Sequence, residues 1–273
     1  MPRDPIPSLT RLWAEFTAPE LAEFAGRDPV ALLPLAAIEQ HGPHLPVSTD
    51  LVICRGILDH ARRCLPLDLP VLVLPEQATG ASAEHAAFPG TLSVRPDTLE
   101  RVVYEAADSL ARMGLRRLVL FNTHGGNKHV IEGAGLRART DHGMLVVKAH
   151  SFRFPRPDGV ELPEREWDHG LHGGAVETAM LLYLRPDLVR RDRLENFPSL
   201  GEELAKVSEV VRPEGPGAFS WLAHDLNRHG VVGDARLASA ELGKQLVEGY
   251  GETLAAVIRD ARAFPLDRLR SVP

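Results

Sequence analysis

The sequence has almost no cysteine, no long apolar run and no surplus of positive charge, and each lack narrows what the chain can be. Two cysteines, Cys54 and Cys64, in 273 residues make no disulfide framework and do not form a Cys-x-x-Cys pair, so a reducing compartment is the expected setting. No apolar stretch approaches the roughly 18 to 20 residues that cross a bilayer. The opening MPRDPIPSLTRLW lacks the apolar core of a signal peptide, and a cytoplasmic protein without a membrane partner is expected. The net charge of -6 argues against a broad nucleic-acid surface. Internal repeats and low-complexity tracts are missing. So are a P-loop and a nucleophile-elbow serine, which sets aside phosphate transfer and serine-nucleophile chemistry.

What is present is ordinary in bulk: 44% hydrophobic and 25% charged residues, a composition and length that build a core without disulfides. Four short runs rich in Val, Leu and Ile (Val30–Ile38, Val71–Pro75, Arg117–Phe121 and Met144–Ala149) read as strands buried on both faces, as in a parallel sheet. Helical spacing of apolar residues lies between them, over Leu51–Cys64, Pro96–Met113 and Val130–Thr140, with Pro96 in a first turn and Gly114 just past an end. Gly174–Tyr183 and Ser239–Phe264 read as further helices. Ser151–His169 is expected to be a long polar loop near the site, and Glu195–Asn227 an irregular segment. Strand alternating with helix predicts an α/β fold, a three-layer α/β/α sandwich with a mainly parallel central sheet. No linker divides it, so residues 1–273 are read as one domain.

The chemistry concentrates at the ends of the predicted strands. Glu39 and His41 stand two apart in Glu39-Gln40-His41-Gly42-Pro43-His44-Leu45-Pro46, and on a strand such positions share a face. Asp50 can return to them after a turn through Pro43 and Pro46. Carboxylate with imidazole suits Zn²⁺ or Mn²⁺. A second cluster, Asn122-Thr123-His124-Gly125-Gly126-Asn127, also follows a strand, and open parallel sheets gather ligands at their carboxyl ends. A third, His172-Gly173-Gly174, leads into a helix carrying Glu177 in its first turns. A fourth, Glu84-His85 with Phe88-Pro89-Gly90-Thr91, reads equally as a surface turn or as a loop over substrate. Glu39 and His41 alone would also make a buried hydrogen-bonded pair, but three such clusters favour a metal site. His60, His129, His142 and His150 read as solvated or core histidines. Trp167 and Trp221 fit either a pocket or a subunit interface.

In these residues the sequence resembles the creatininase family. The run from Glu39 to Pro46 with Asp50 is similar to its metal-binding signature. His85 with Phe88 to Thr91, Asn122 to Asn127, and His172 to Thr178 resemble later motifs, and Gly230 to Ala235 with Gly243-Lys244 resembles the C-terminal one. The resemblance implies the three-layer fold, a small-molecule substrate, two divalent ions (Zn²⁺ and/or Mn²⁺) per chain and a homo-oligomer, often a hexamer. It implies that Glu39 and His124 hold one ion, His41 the other, and that Asp50 bridges them. The creatinine-hydrolysing branch has a glutamate where this chain has Gly126, and Glu177 is the expected substitute ligand, as in other branches. That departure points away from creatinine.

The activity expected is metal-dependent hydrolysis of a non-peptide C–N bond by an activated water. His172 would protonate the leaving nitrogen, Glu84 or His85 would orient the substrate, and Asn122 and His44 would brace ligands. Two alternatives stand beside it: a peptidase-like maturation factor trimming a modified peptide, and a catalytically inactive metal-binding scaffold.

Overall fold

The computed structural model describes residues 9–270. Five strands form one all-parallel sheet: β1 (Thr10–Leu12), β2 (Val30–Leu35), β3 (Val71–Val73), β4 (Arg117–Asn122) and β5 (Leu145–His150), in the order β1-β3-β2-β4-β5. Helices alternate with them: α1 (Ala18–Ala25), α2 (Thr49–Cys64), α3 (Pro96–Arg112) and α4 (Lys128–His142). After β5 come α5 (Glu164–His169), α6 (Ala175–Leu184), β6 (Asn196–Phe197), α7 (Leu200–Val207), β7 (Val211–Arg212), β8 (Gly217–Ala218), α8 (Ala223–Leu226), β9 (Gly233–Asp234) and α9 (Ala240–Ala263). No helix among the described residues is long and apolar enough to cross a membrane.

Strand alternation sorts the core into two layers. Val30 and Leu32 of β2, with Val119 and Phe121 of β4, pack with α2, α6 and α9. Ala31 and Leu33, with Leu118 and Leu120, pack with α1, α3 and α4 on the other face. Every residue of β2 and β4 is buried, and each fully buried Leu or Ile contributes on the order of 2 kcal/mol. On α9 the buried residues Leu242, Leu246, Tyr250, Leu254 and Ile258 follow the three- and four-residue steps of one helix stripe. The three-layer α/β sandwich expected from the sequence is the observed fold.

Several expectations needed correction. The strands from Val30 and Val71 end at Leu35 and Val73, short of Ile38 and Pro75. Pro34 has no N–H to give to the ladder, and the register slips beside it. The Leu32 carbonyl accepts from Leu74 N–H, whereas the Pro34 carbonyl, two residues on, accepts from Gln77, three residues on. β1 and α1 are short, three and eight residues, and escaped the sequence reading; β1 is an edge strand beside β3. The segment read as a polar loop, residues 151–169, ends in α5, and the segment read as irregular, 195–227, contains α7, α8 and three short strands.

Candidate metal centre

The site lies at the carboxyl edge of the sheet, where β2, β3 and β4 hand over to loops. Glu39 and His41 meet, though not by strand alternation, since β2 ends four residues before Glu39. A pinned loop brings them together. Glu39 N–H donates to the Val47 carbonyl (2.9 Å), Leu92 N–H to that of Ile38 (2.8 Å), and Gln40 N–H to Thr91 Oγ1 (3.1 Å). The Phe88-to-Thr91 motif is thus a clasp on the ligand loop. Asp50 returns in the first turn of α2, where Thr49 Oγ1 donates to the Pro46 carbonyl.

His124 follows β4 directly. Its backbone is gripped by Asn122, whose Nδ2 donates to the His124 carbonyl (2.7 Å) and whose Oδ1 accepts from His124 N–H (3.2 Å). Its Nε2–H donates to the Ala81 carbonyl (3.0 Å), so Nδ1 is the nitrogen facing Glu39 Oε1 (3.2 Å) and Asp50 Oδ2 (3.4 Å). His41 is set the same way from the other end. Its Nδ1 donates to the Glu39 carbonyl, and Nε2 faces Asp50 Oδ1 (3.5 Å) and Glu177 Oε2 (3.7 Å). The two oxygens of Asp50 therefore look toward different imidazoles. Glu177, in the first turn of α6, also accepts from Gly173 N–H (2.6 Å), a position the helix dipole favours for a carboxylate.

Three triads of donors each lie within 4.8 Å: Glu39–Asp50–His124, His41–His172–Glu177 and Glu39–His85–His172. Glu39 Oε2, His41 Nε2 and Asp50 Oδ2 are buried and have no hydrogen-bond partner. Buried polar atoms are seldom left so, and cations among the triads would satisfy them, Glu39 and Asp50 in one and His41 in another. The electrostatics agree. Burial pulls the His41 imidazolium down, but Asp50, Glu177 and Glu39 outweigh it and lift the pKa to about 9. His124 is likewise raised against burial by Glu39 and Asp50. Asp50, despite burial, is held well below the usual carboxylate range by His124 and His41. Without a cation the carboxylates recruit protons onto their histidines. His172 behaves in the opposite sense, lowered to about 4 by burial and by His41, and His85 is lowered by burial and by His172.

The remaining expected residues fall into place unevenly. His85 is buried with Nε2 3.5 Å from Glu39 Oε1, which makes it a neighbour of a ligand. Glu84 lies 3.6 Å from the outer nitrogen of His124, and burial raises its pKa. A Cβ at Gly126 would stand 2.4 Å from Glu84 Oε1 and 2.3 Å from the Ala81 carbonyl; in this chain Glu84 fills the space a side chain at 126 would need. His44 Nε2 donates to the Gly173 carbonyl (2.9 Å) and so ties the first motif to the His172 loop. Trp167 packs against the α2–α6–α9 cluster beneath the Arg156 guanidinium, and Trp221 donates to the Pro213 carbonyl.

One residue had no signal in the sequence. Glu166 of α5 is buried, and its carboxylate accepts from Ala175 N–H (2.6 Å) and Asp234 N–H (2.8 Å). It joins the start of α6, which carries Glu177, to β9. A Cβ at Gly170, Gly174 or Gly233 would come within 2.5 Å of Glu166 Oε1, and Gly233 has φ +111°. The glycines of two motifs thus make room for one buried carboxylate.

Carboxylate and imidazole donors converging at the carboxyl edge of an α/β sheet make a candidate metal centre of the kind that metal-dependent hydrolases use. The chain belongs to the creatininase family, whose profile, creatinine amidohydrolase, matches residues 14–258. The mycofactocin precursor peptide peptidase of Mycolicibacterium smegmatis is 32% identical over 220 residues, 80% of this chain and 79% of that protein. The creatinine amidohydrolase of Pseudomonas putida is 31% identical over 262 residues, 91% and 94% of the two chains. A solved manganese form of creatininase superposes with a TM-score of 0.71 at 28% identity, covering 94% of this chain and 99% of that one.

Proposed function

We propose that this hydrolase cleaves a non-peptide C–N bond of a small molecule, an amide, cyclic amide or formamide, with two divalent ions held by Glu39, His41, Asp50, His124 and Glu177. The observation that carries this reading is the set of buried donor atoms facing inward without partners. Carboxylate and imidazole donors suit Zn²⁺ or Mn²⁺, and the split orientation of Asp50 toward His41 and His124 supports a carboxylate that would serve both ions. When bound, such ions acidify water and polarise a carbonyl oxygen.

The chain's own residues supply the rest. His172 is neutral at pH 7, its pKa lowered to about 4. It would take a proton from the attacking water on its free Nδ1, transiently, and pass it to the leaving nitrogen. His85 steadies Glu39, and Asn122 steadies His124. Burial of Glu39, His41, Asp50 and His124 limits bulk water around them and strengthens their electrostatic contacts.

The peptidase relative favours a second reading, a modified peptide as substrate. Against it, Glu39, His41, Asp50 and His124 are all buried, and the Glu84 and Glu177 side chains are only 20% exposed, which suits a small substrate. An inactive scaffold is the weakest reading, because structural sites close their shell with protein ligands and here His172 stands beside the donors without closing it. The same proposal carries a cytoplasmic homo-oligomer, for which light scattering on the purified protein is the check.

The test is elemental mass spectrometry on tag-free protein, wild type and His41→Ala. About two ions per chain, falling sharply in the variant, are expected. Formamides, lactams and cyclic ureas are then assayed beside short peptides under Zn²⁺ and Mn²⁺. Turnover of peptides alone would transfer the protein to the second reading, and a chain that neither carries nor takes up metal would overturn both.

A further inference from the structure

Gln40 sits between two histidines of the site, and its orientation follows from partners that have only one possible role. The Gly230 carbonyl can only accept, and it lies 2.6 Å from one terminal atom of the Gln40 amide; that atom is the nitrogen. Gly42 N–H can only donate, and it lies 2.9 Å from the other terminal atom; that atom is the oxygen. The amide nitrogen has a second hydrogen to place, and His85 Nδ1 is 2.8 Å away. His85 Nδ1 must therefore be bare, because two donors would otherwise face each other, and the ring proton sits on Nε2.

His172 is fixed by the backbone of the same residue. Its Nε2 lies 2.8 Å from the Gln40 carbonyl, an acceptor only, so Nε2 carries the proton. That also rules out His172 as the acceptor for the Gln40 amide, whose nitrogen is farther off at 3.3 Å. A second proton, on Nδ1, would put an imidazolium with ring centroids 4.2 Å from those of both His41 and His85.

The two rings thus share a tautomer but are turned end for end toward Glu39. His85 points Nε2 at Glu39 Oε1 (3.5 Å), and His172 points Nδ1 at the same oxygen (3.7 Å). We propose that Gln40 is a positioning residue that holds His85 and His172 in the Nε2–H form, so that the site receives one imidazole N–H, from His85, and one imidazole lone pair, from His172. The consequence reaches the metal. Of the three donor triads, Glu39–His85–His172 is closed to an ion because His85 offers a proton there and its one lone pair, on Nδ1, faces the Gln40 amide; Glu39–Asp50–His124 stays open, as does His41 with Glu177, where the His172 lone pair lies alongside to take a proton. That selection rests on the metal reading above; the tautomers do not.

The experiment is long-range ¹H–¹⁵N correlation NMR of the histidine rings in full-length, chelator-stripped protein, with the two rings assigned from His85→Gln and His172→Gln. In wild type both rings should show a protonated Nε2 and an unprotonated Nδ1. In Gln40→Glu the amide donor becomes a carboxylate acceptor. His85 should then move its proton to Nδ1, while His172, held by a backbone carbonyl, keeps its own. Gln40→Met, which brings no buried charge, should leave His85 as a mixture of tautomers and His172 unchanged. A wild-type His85 with a protonated Nδ1, or variants that shift both rings or neither, would overturn the proposal. The wild-type spectrum decides even if neither variant folds. Tautomers as stated, together with a protein that binds no metal, would sink the metal reading and leave this one standing.

Discussion

The two halves of the site are built by different means. The half made of Glu39, Asp50 and His124 hangs from the sheet: a short loop after β2, the first turn of α2 and the residue two past the end of β4 deliver its donors, all of them buried. The half made of His172 and Glu177 hangs from a loop and the start of α6. It is held by braces from elsewhere, Glu166 of α5 on the α6 N-terminus and His44 on the Gly173 carbonyl. One half is fixed by the strand ends and first helical turn of βα units, and the other by side-chain contacts between distant segments. A fold can keep the first while the second varies, which suits one family to different C–N bonds.

The largest effect should come from the residue that joins the halves. Asp50→Ala removes a carboxylate facing both His41 and His124. It should abolish retention of both ions in elemental analysis and lower turnover by about 10³-fold or more. Glu166→Ala should separate the halves. Two buried N–H groups lose a charged acceptor, about 3 kcal/mol of stability, read by urea unfolding. The ion on the Glu177 side should be lost while the ion beside His124 is kept; equal loss of both would erase the distinction drawn here. Gly126→Ala strikes the other half, since its Cβ would stand 2.3 Å from the Ala81 carbonyl that holds His124. Overpacking of this kind costs about 1 to 3 kcal/mol, and metal affinity should fall about 10- to 100-fold by calorimetric titration.

The smallest effect is one of pH, in metal-free protein. His41 is raised from 6.5 to about 9. Its contribution to stability is complete below about pH 6.5 and is lost as pH rises through about 9. Asp50 is lowered, so its contribution is present above the ordinary Asp value and lost in acid. Metal uptake should run the other way across neutral and alkaline pH, because the ion must displace the His41 proton. Melting temperature of the stripped protein should therefore fall between about pH 7 and 9 while metal affinity rises. Parallel trends would contradict the assignment.

Much of this was legible in the chain. Apolar runs two faces deep marked β2, β4 and the helices between them, and motif spacing marked Glu39, His41, Asp50 and His124 as candidate donors, although the meeting of Glu39 and His41 was decided by the pinned loop after β2 and not by strand alternation. Glu177 was legible from its place three residues past Gly174. Glu166 was not, since a glutamate in a polar stretch looks like any solvated one until Ala175 and Asp234 close on it. Nor was the role of Gly126, whose missing side chain matters because Glu84 and the Ala81 carbonyl arrive from another loop.

Local pattern, by itself, determined the central strands β2 to β5, the five longer helices and the candidate donors, and motif resemblance pointed to the family, since periodicity and motif spacing are properties of neighbouring residues. Tertiary structure alone decided which nitrogen of each imidazole faces the site, which glycines yield to Glu166, and how the His172 loop is held. Those depend on hydrogen bonds between residues as far apart as Gln40 and Gly230. Such a bond leaves no trace in either segment, because its energy exists only once the fold has brought donor and acceptor together and removed the water between them.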